Sequence, residues 1–475
     1  MRIVTVPTLA TLALLLPLLA QAQNLPSPKV ATPTDPAQAT PKGYVDGGLA
    51  AKQGINGDVS SQHVTPTGSA TAMALRDAAN KPCLNIDMFG ADPTGATASD
   101  TAFATVAAIA APRQGCVQFG AGIYKFDAQL SWPFPTTGTH RAIIRGIGSA
   151  GTSLFWTGTT GGILFAEHSD HHSFAVERMT LLTAQAGTAD AITATNDFSN
   201  AGSSACPGTP YHSEIRDVSM MGTGRFQMSG PTQFWRMGVH ATNVSFIDVD
   251  GMNITDADPA VFTNPNETGI GMLLEGTAPG AAYPSGCLAA VFNVTRSGFW
   301  NLGYGIKIGT WSQGYQLDKL NFTLGQFGIY QELDSVNTDE LTISNSQLNT
   351  ARYQIFLRAG VMRLGVHDNI IFLPSTQQGV FSGGNHSVSI TGNHFVGILF
   401  GAGEQFSNDA TGVHLVANDA LNAGIITGNT FVNLTYGVAL EPGTSGVTVQ
   451  ANAYRNVTTN VSNAGIGNIV GGGSQ

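Results

Sequence analysis

The sequence predicts an all-β solenoid, a parallel β-helix of roughly eleven coils with a short N-terminal capping helix. Three observations predict it. The first is composition. Of 475 residues only 11% are charged and 58 are Gly, so Asn, Thr, Ser and Gly supply the polarity. Helical surfaces need Glu and Lys, whereas turn-rich β surfaces do not. The second is a recurring pattern: apolar, any, apolar, four of anything, apolar. It runs through Phe174/Val176/Leu181, Ile247/Val249/Ile254, Phe292/Val294/Phe299, Tyr315/Leu317/Phe322 and Leu341/Ile343/Leu348. It continues through Leu364/Val366/Ile371, Val388/Ile390/Phe395, Gly424/Ile426/Phe431 and Val447/Val449/Tyr454, with a weaker copy at Ser213/Ile215/Met220. The third is period. From Phe299 on, the final apolar residues are 23, 26, 23, 24, 36 and 23 apart, and a near-constant spacing signifies stacked repeats. A β-sandwich or jelly roll also has many short strands, but it does not explain this period.

The elements follow in chain order. Arg2, the apolar run Leu9–Ala20 and Ala20-Gln21-Ala22 form a signal peptide over 1–22, cleaved near Ala22. Residues 23–82 read as a linker: Pro26, Pro28, Pro33, Pro36 and Pro41 punctuate an Ala/Thr-rich stretch that cannot build a core. The solenoid domain is expected over 83–475. Leu84–Phe89 alternates as a strand, and Ala91–Gly95 is a turn. Ser99 or Asp100 caps a helix to about Ala111, with Phe103, Val106 and Ile109 on one face. Val117–Phe119 and Ile123–Phe126 are strands again. No later stretch approaches the ~18 continuous apolar residues of a membrane span, so the mature chain is expected outside the cytoplasm, extracellular or periplasmic. Cys83, Cys116, Cys206 and Cys287 allow three pairings. Cys83–Cys116 with Cys206–Cys287 is the expected one, and no zinc-type spacing is present.

Four successive coils place Asn at the same position: Asn369, Asn393, Asn429 and Asn452. Asn tolerates the left-handed backbone of a sharp turn, and stacked amides bond along the axis, so an internal ladder is expected.

Asn85-Ile86-Asp87-Met88-Phe89-Gly90-Ala91-Asp92-Pro93-Thr94-Gly95, continuing to Asp100-Thr101-Ala102-Phe103, resembles the opening motif of the pectate-lyase-like superfamily. Gly115-Cys116-Val117-Gln118-Phe119-Gly120-Ala121-Gly122-Ile123-Tyr124 is similar to the strand that follows it there, with Gly120 where Pro is usual. The resemblance covers about 40 residues that start the solenoid and carry no chemistry. It implies a right-handed β-helix and a fold shared by polysaccharide lyases, polygalacturonase-like hydrolases and phage tailspike depolymerases. Thr34-Asp35-Pro36, Ala39–Asp46 and Thr67-Gly68-Ser69 are similar to tail-fibre and tailspike linkers. The superfamily's catalytic motifs do not carry over as a set. Asn337-Thr338-Asp339 matches a polygalacturonase fragment, but no Asp-Asp pair, Gly-His-Gly or Arg-Ile-Lys accompanies it. No calcium-site Asp cluster of the pectate lyase kind is present.

If the first two apolar residues of each repeat point inward, the residues between and after them point outward and stack into columns. One column reads Ala175, Glu214, Asp248, Asn293, Gln316, Thr342. A second reads Glu177, Arg216, Asp250, Thr295, Asp318, Ser344, His367, and beside it run Arg178, Asp217, Arg296, Lys319, Asn345 and Asp368. With so few charges in the chain, this concentration marks a face. Expansions at 182–212 and 255–290 would wall it, and Tyr211, Trp235, Trp300 or Trp311 could stack on sugars. Glycoside hydrolysis needs two carboxylates, one a general acid of raised pKa. Asp250 and Asp318 are the first candidates, two coils apart, with Asp217 and Asp248 next. Arg296, Lys319, His367 and Arg216 would orient substrate, and for β-elimination the cations would neutralise a uronate. His168-Ser169-Asp170-His171-His172 reads as a polar turn or a metal site. The N-x-S/T sequons follow from an Asn/Thr-rich repeat and establish no glycosylation.

The expected function is a secreted enzyme that cleaves an extracellular polysaccharide internally, by hydrolysis in preference to β-elimination. No cofactor is expected, apart from Ca2+ for a lyase. A non-catalytic glycan-binding attachment spike, trimeric like tailspikes, is the alternative, and a uronate epimerase is a third. Net charge of −10 excludes a general nucleic-acid binder, which needs a basic face.

Overall fold

The computed structural model describes residues 83–169, 171–199, 211–223, 233–255, 269–280, 283, 286–331, 339–374, 377–397, 410–417 and 424–471. Residues 1–82, with the expected signal peptide and linker, and Cys206 lie outside the described residues.

The chain is a right-handed parallel β-helix. Each full coil contributes one strand to each of three parallel sheets. The first sheet starts with Cys83–Asn85, Cys116–Gln118 and His140–Arg145 and continues coil by coil to Val447–Gln450 and Ile469–Val470. The second begins at Gly122–Phe126 and Thr152–Trp156, and the third at Leu130–Trp132 and Ile163–Glu167. Every pairing between strands is parallel and in register, with one bulge between Leu415 and Ala417. Alternation does the packing. Burial along Ile247–Asp250 goes buried, partial, buried, partial, so Ile247 and Val249 enter the core while Asp248 and Asp250 face out.

The turn from first to second sheet is the same two-residue device in ten successive coils. Arg178, Asp217, Gly251, Arg296, Lys319, Asn345, Asp368, Gly392, Gly428 and Ala451 all have φ between 50° and 70°. The next residue turns inward. From Asn369 on it is the Asn ladder, whose members are at most 2% exposed. Asn369 Nδ2 donates to Asn393 Oδ1 at 2.9 Å, Asn393 to Asn429 at 3.0 Å, and Asn429 to Asn452 at 3.1 Å. Each of these oxygens also accepts the backbone N–H of the Asn one coil earlier. The corner's buried polar backbone is thereby satisfied without water. In earlier coils Ser297 and Ser346 occupy this position, their Oγ accepting from Met252 and Leu320 N–H at 3.2 and 2.9 Å.

Behind the second sheet, aromatic rings stack along the axis: Phe299–Phe322 and Phe395–Phe431 at 4.9 Å, Phe431–Tyr454 at 5.3 Å. Third-sheet glycines make room for them. A Cβ at Gly305 would stand 2.5 Å from the Phe322 ring, and one at Gly412 2.5 Å from Phe431.

The helix spans Asp100–Ala110, with Phe103 and Val106 buried, and tightens into a 3-10 turn at Ala111–Arg113. The expected strand Leu84–Phe89 is shorter. It covers Cys83–Asn85 and then becomes a 3-10 turn over Ile86–Phe89, because Asn85 Oδ1 accepts the Asp87 N–H and Gly90 closes the turn at φ 86°. A disulfide joins Cys83 to Cys116, which are direct register partners on the first two strands. Cys287 is also disulfide-bonded. The two long expansions are partly regular: Asp190–Asn196 and Ile270–Glu275 inside them are third-sheet strands.

Asn393→Ala would strand the donors and acceptors of both neighbouring rungs. We expect a loss of about 2–4 kcal/mol in urea unfolding, since each buried unpaired group costs ~1–3 kcal/mol. Asn456→Ala, which removes an exposed amide donating to Asn433 at 2.9 Å, is expected to cost under ~1 kcal/mol. Equal effects would refute a structural role for the buried ladder.

Candidate functional site

The outward positions of the first sheet form the expected columns. Glu177, Arg216, Asp250, Thr295, Asp318, Ser344 and His367 are successive register partners, and so are Glu214, Asp248, Asn293, Gln316 and Thr342. Asp250 and Asp318 are therefore two coils apart with Thr295 between. Asp217 lies elsewhere: as a corner residue its partner on the next coil is Gly251, whereas Asp250 pairs with Arg216. Arg296 and Lys319 are corner residues as well, their side chains 68% and 63% exposed.

Each carboxylate in the middle of this face is held by partners. Arg296 Nε donates to Asp250 Oδ1 at 2.7 Å, its Nη2 donates to Oδ2, and Thr295 Oγ1 donates at 3.0 Å. The Arg296 bonds hold the Asp250 carboxyl below the usual carboxylate range, against slight burial. Asp318 Oδ1 accepts Asn345 Nδ2 at 2.7 Å and Ser344 Oγ at 2.8 Å, and Lys319 Nζ lies 3.1 Å from Oδ2. Those bonds, led by Asn345, lower Asp318 too. Both groups are thus ionised at neutral pH, and neither has the raised pKa that a glycosidase acid needs. His367 is tied through Nδ1 to Thr391 Oγ1 at 2.8 Å.

Toward the N-terminal coils the face changes character. Glu214 is bracketed by Arg141 Nη2 at 2.9 Å and Arg216 Nη2 at 3.1 Å. Arg145 Nε donates to Glu177 at 2.6 Å. Asp248, the register partner of Glu214, meets His212 Nδ1 through Oδ2 at 3.0 Å and accepts Asn293 Nδ2 on Oδ1 at 2.7 Å. The repeat pattern does not pick out His212, which stands one position before its strand. The signal that could have found it is a His two residues ahead of an outward Glu-x-Arg, on the same side of the chain.

The proposed aromatic platform is mostly packing. Trp235 is 2% exposed, packs edge-on against Trp156, and donates its indole N–H to Leu181 O at 3.2 Å. Tyr211 and Trp300 are exposed. Of the histidine-rich segment, His168 Nδ1 is 3.1 Å from both Asp197 oxygens. His172 is buried and stacks on Phe134 at 4.7 Å, and Asp170 lies outside the described residues. Asn337 and Thr338 also lie outside them, and Asp339 accepts Arg363 Nη2 at 2.8 Å.

Two perturbed groups sit away from this face. Glu167 ends a third-sheet strand pointing inward, 1% exposed. Burial pushes its carboxyl up to about 8, opposed only by the Asn196 amide. His240 lies 3.4 Å from Asp190 and 3.0 Å from Glu275. Hydrogen bonds to Asp190 and then Glu275 raise it to about 9.

The sequence profile of a family described as periplasmic copper-binding protein NosD matches residues 285–470. Among solved structures, the chain is similar to the Azotobacter vinelandii mannuronan C-5 epimerase AlgE4 A-module. Identity is 16% and the TM-score 0.48, over 82% of this chain and 100% of that one. It is also similar to PfbA, a surface adhesin of Streptococcus pneumoniae (12%, TM-score 0.44, 81% and 92%). A third is the Dettilon tailspike protein (11%, TM-score 0.41, 90% and 73%). At these identities the likeness is one of fold and says nothing of reaction. No curated protein sequence matches the chain. Copper needs converging imidazole or sulfur donors. Among the described residues no three of His, Cys, Asp and Glu are grouped so that they could hold a metal ion; His240 with Asp190 and Glu275 is an ion-paired cluster, and Cys287 is in a disulfide. The described residues therefore do not fit a copper centre, and they offer no carboxylate cluster for Ca2+.

The two perturbed groups determine a pH dependence. Folded Glu167 keeps its proton up to about 8, while the unfolded group loses it near 4.5. The folded state therefore binds more protons, and stability falls as pH rises between those values, by up to about 1.4 kcal/mol per unit. His240, raised from 6.5 to about 9, stabilises fully below 6.5 and loses that contribution as pH rises to 9. Glu167→Gln is expected to flatten the slope between pH 5 and 8 and to raise the urea midpoint at pH 8. Parallel wild-type and variant curves would refute the buried, protonated carboxyl.

Proposed function

We propose that the chain acts on carbohydrate outside the cytoplasm, holding an extended acidic polysaccharide along the first sheet. The single observation that carries this reading is the register-stacked polar face. In a chain with 11% charged residues, acids and bases recur at coil spacing from Arg145 to His367. Rungs at about 4.8 Å present donors and acceptors at intervals close to those of sugar units in an extended chain. Exposed Arg216, Arg296 and Lys319 supply donors for carboxylates beyond those their own partners use.

The disulfide and the periplasmic description of the partly matching family support a place outside the cytoplasm; on this reading the mature chain is residues 23–475, after cleavage near Ala22. No helix among the described residues is long and apolar enough to cross a membrane. The lowered pKa of Asp250 and Asp318 leaves this pair without the general acid that hydrolysis needs, which counts against hydrolysis by them. A second reading, a non-catalytic attachment module that assembles as a trimer, draws support from the complete pairing of those same carboxylates.

Affinity electrophoresis of the mature chain in gels containing pectate, alginate or neutral glucan tests the reading. Retardation by an acidic polymer that weakens with salt is expected. Arg296→Ala with Arg216→Ala should weaken binding at least about tenfold, ~1.4 kcal/mol. Absence of binding to every acidic polymer at low salt would refute it.

A further inference from the structure

We infer that His212, positioned by Asp248 and Asn293, is the proton-transfer residue of this face, and that it serves a uronate-containing polysaccharide. The inference rests on the glycan-binding reading above and adds to it a residue and a substrate class.

Three successive coils build the arrangement. His212 precedes the strand Ser213–Gly222, Asp248 lies on Ile247–Asp250, and Asn293 lies on Ala289–Thr295. Asp248 uses one oxygen for each neighbour, Oδ2 for His212 Nδ1 at 3.0 Å and Oδ1 for Asn293 Nδ2 at 2.7 Å. A carboxylate only accepts, so Nδ1 carries the hydrogen and the Nε2 lone pair is left for chemistry. The ring also rests on Phe246, centroids 5.3 Å apart, so it is fixed from two sides. The side chain is 49% exposed, and no described residue is seen to bond Nε2. A base oriented by a third group is the general arrangement for proton transfer.

The surroundings indicate which proton. Glu214, one coil before Asp248, is bracketed by Arg141 and Arg216, whose side chains are 38% and 52% exposed. Each guanidinium has five N–H donors, so both retain donors for a second carboxylate. Tyr211, adjacent and 37% exposed, offers a ring face to a sugar. A uronate whose carboxylate sits on the guanidiniums has its C5 proton acidified. Nε2 takes that proton. The C5–H electron pair becomes the C4=C5 double bond as the C4–O bond breaks. The leaving oxygen takes that bond's pair and a proton from water. If the C4–O bond holds, the proton returns to C5 and solvent exchange results. Both outcomes share the first step, and neither needs an oxidant.

Among the described residues, the titratable and charged groups facing this segment are Asp248 on the imidazole, Tyr211 before it in the chain with His171 edge-on to its ring, and Glu214 with its two arginines two residues on. Asp248 is the one bonded to the imidazole. Asp248→Asn removes the fixed acceptor that orients the ring and its tautomer, so kcat should fall at least about tenfold with KM unchanged. A merely structural role would lower stability and leave the kcat of the folded fraction in place.

The test uses the mature chain in D2O with pectate and with alginate. C5 deuterium is followed by NMR and unsaturated uronate by absorbance, with gel retardation beside them. His212→Gln is expected to lower both rates at least about 100-fold, the usual range for a general base, with polymer binding within threefold. Imidazole should restore activity to His212→Gly, which separates lost chemistry from lost folding. Full rates in His212→Gln would overturn the inference. So would polymer binding by the wild type with neither deuterium nor unsaturation, or reducing ends without unsaturation, which would mean hydrolysis. Absence of binding by the wild type would instead sink the glycan-binding reading itself.

Discussion

Parallel backbone pairing between one coil and the next is the constraint on which the rest depends. Neighbouring rungs are held about 4.8 Å apart, and each inherits its register from the rung before. A residue's depth and direction are then set by its place in the repeat, not by its local surroundings. The core needs continuous partners, so apolar residues stack on apolar residues. The corner needs its amides satisfied, so Asn follows Asn for four coils. Inward rings along the second sheet require third-sheet glycines.

The same register produces the polar face. Side chains that point outward have no choice of neighbour along the axis, so charges of one sign would repel down a column. In one column the chain resolves this by alternation, with Arg145, Glu177, Arg216 and Asp250 succeeding one another. In the other, Glu214 and Asp248 are neighbours and each is met by its own lateral partners, while corner cations close onto Asp250 and Asp318. Exposed ion pairs of this kind add little stability. Their consequence is a level surface with fixed spacing and near-zero net charge, suited to following a polymer. His212 departs from this arrangement. It stands outside the strand, borrows its orientation from two later coils, and keeps about half of its side chain exposed.

The pectate-lyase-like opening and the repeat located the helix, the first strands and the outward columns. Two kinds of feature escaped. Short-range side-chain bonding changed the first strand, because Asn85 captures the Asp87 N–H and diverts the chain into a turn. The choice of functional residues also moved. Asp217, a candidate carboxylate of the face, is a corner residue with φ 51° and projects from the turn, not from the sheet face. Trp235, a candidate sugar platform by sequence, is buried and packed on Trp156.

Periodicity is a property of the chain itself, so the sequence alone determined the fold, the inward set, the Asn ladder and the membership of each outward column. Tertiary structure decided what those outward groups do. Whether a carboxylate is free, paired or protonated depends on side-chain reach across coils 23 to 46 residues apart. It also depends on solvent exposure, which no spacing encodes. Asp250 is held ionised by Arg296 from the next coil's corner, and Glu167 is kept protonated by burial at the end of an inward strand. Asp248 serves as orienter because His212 and Asn293 converge on it from either side.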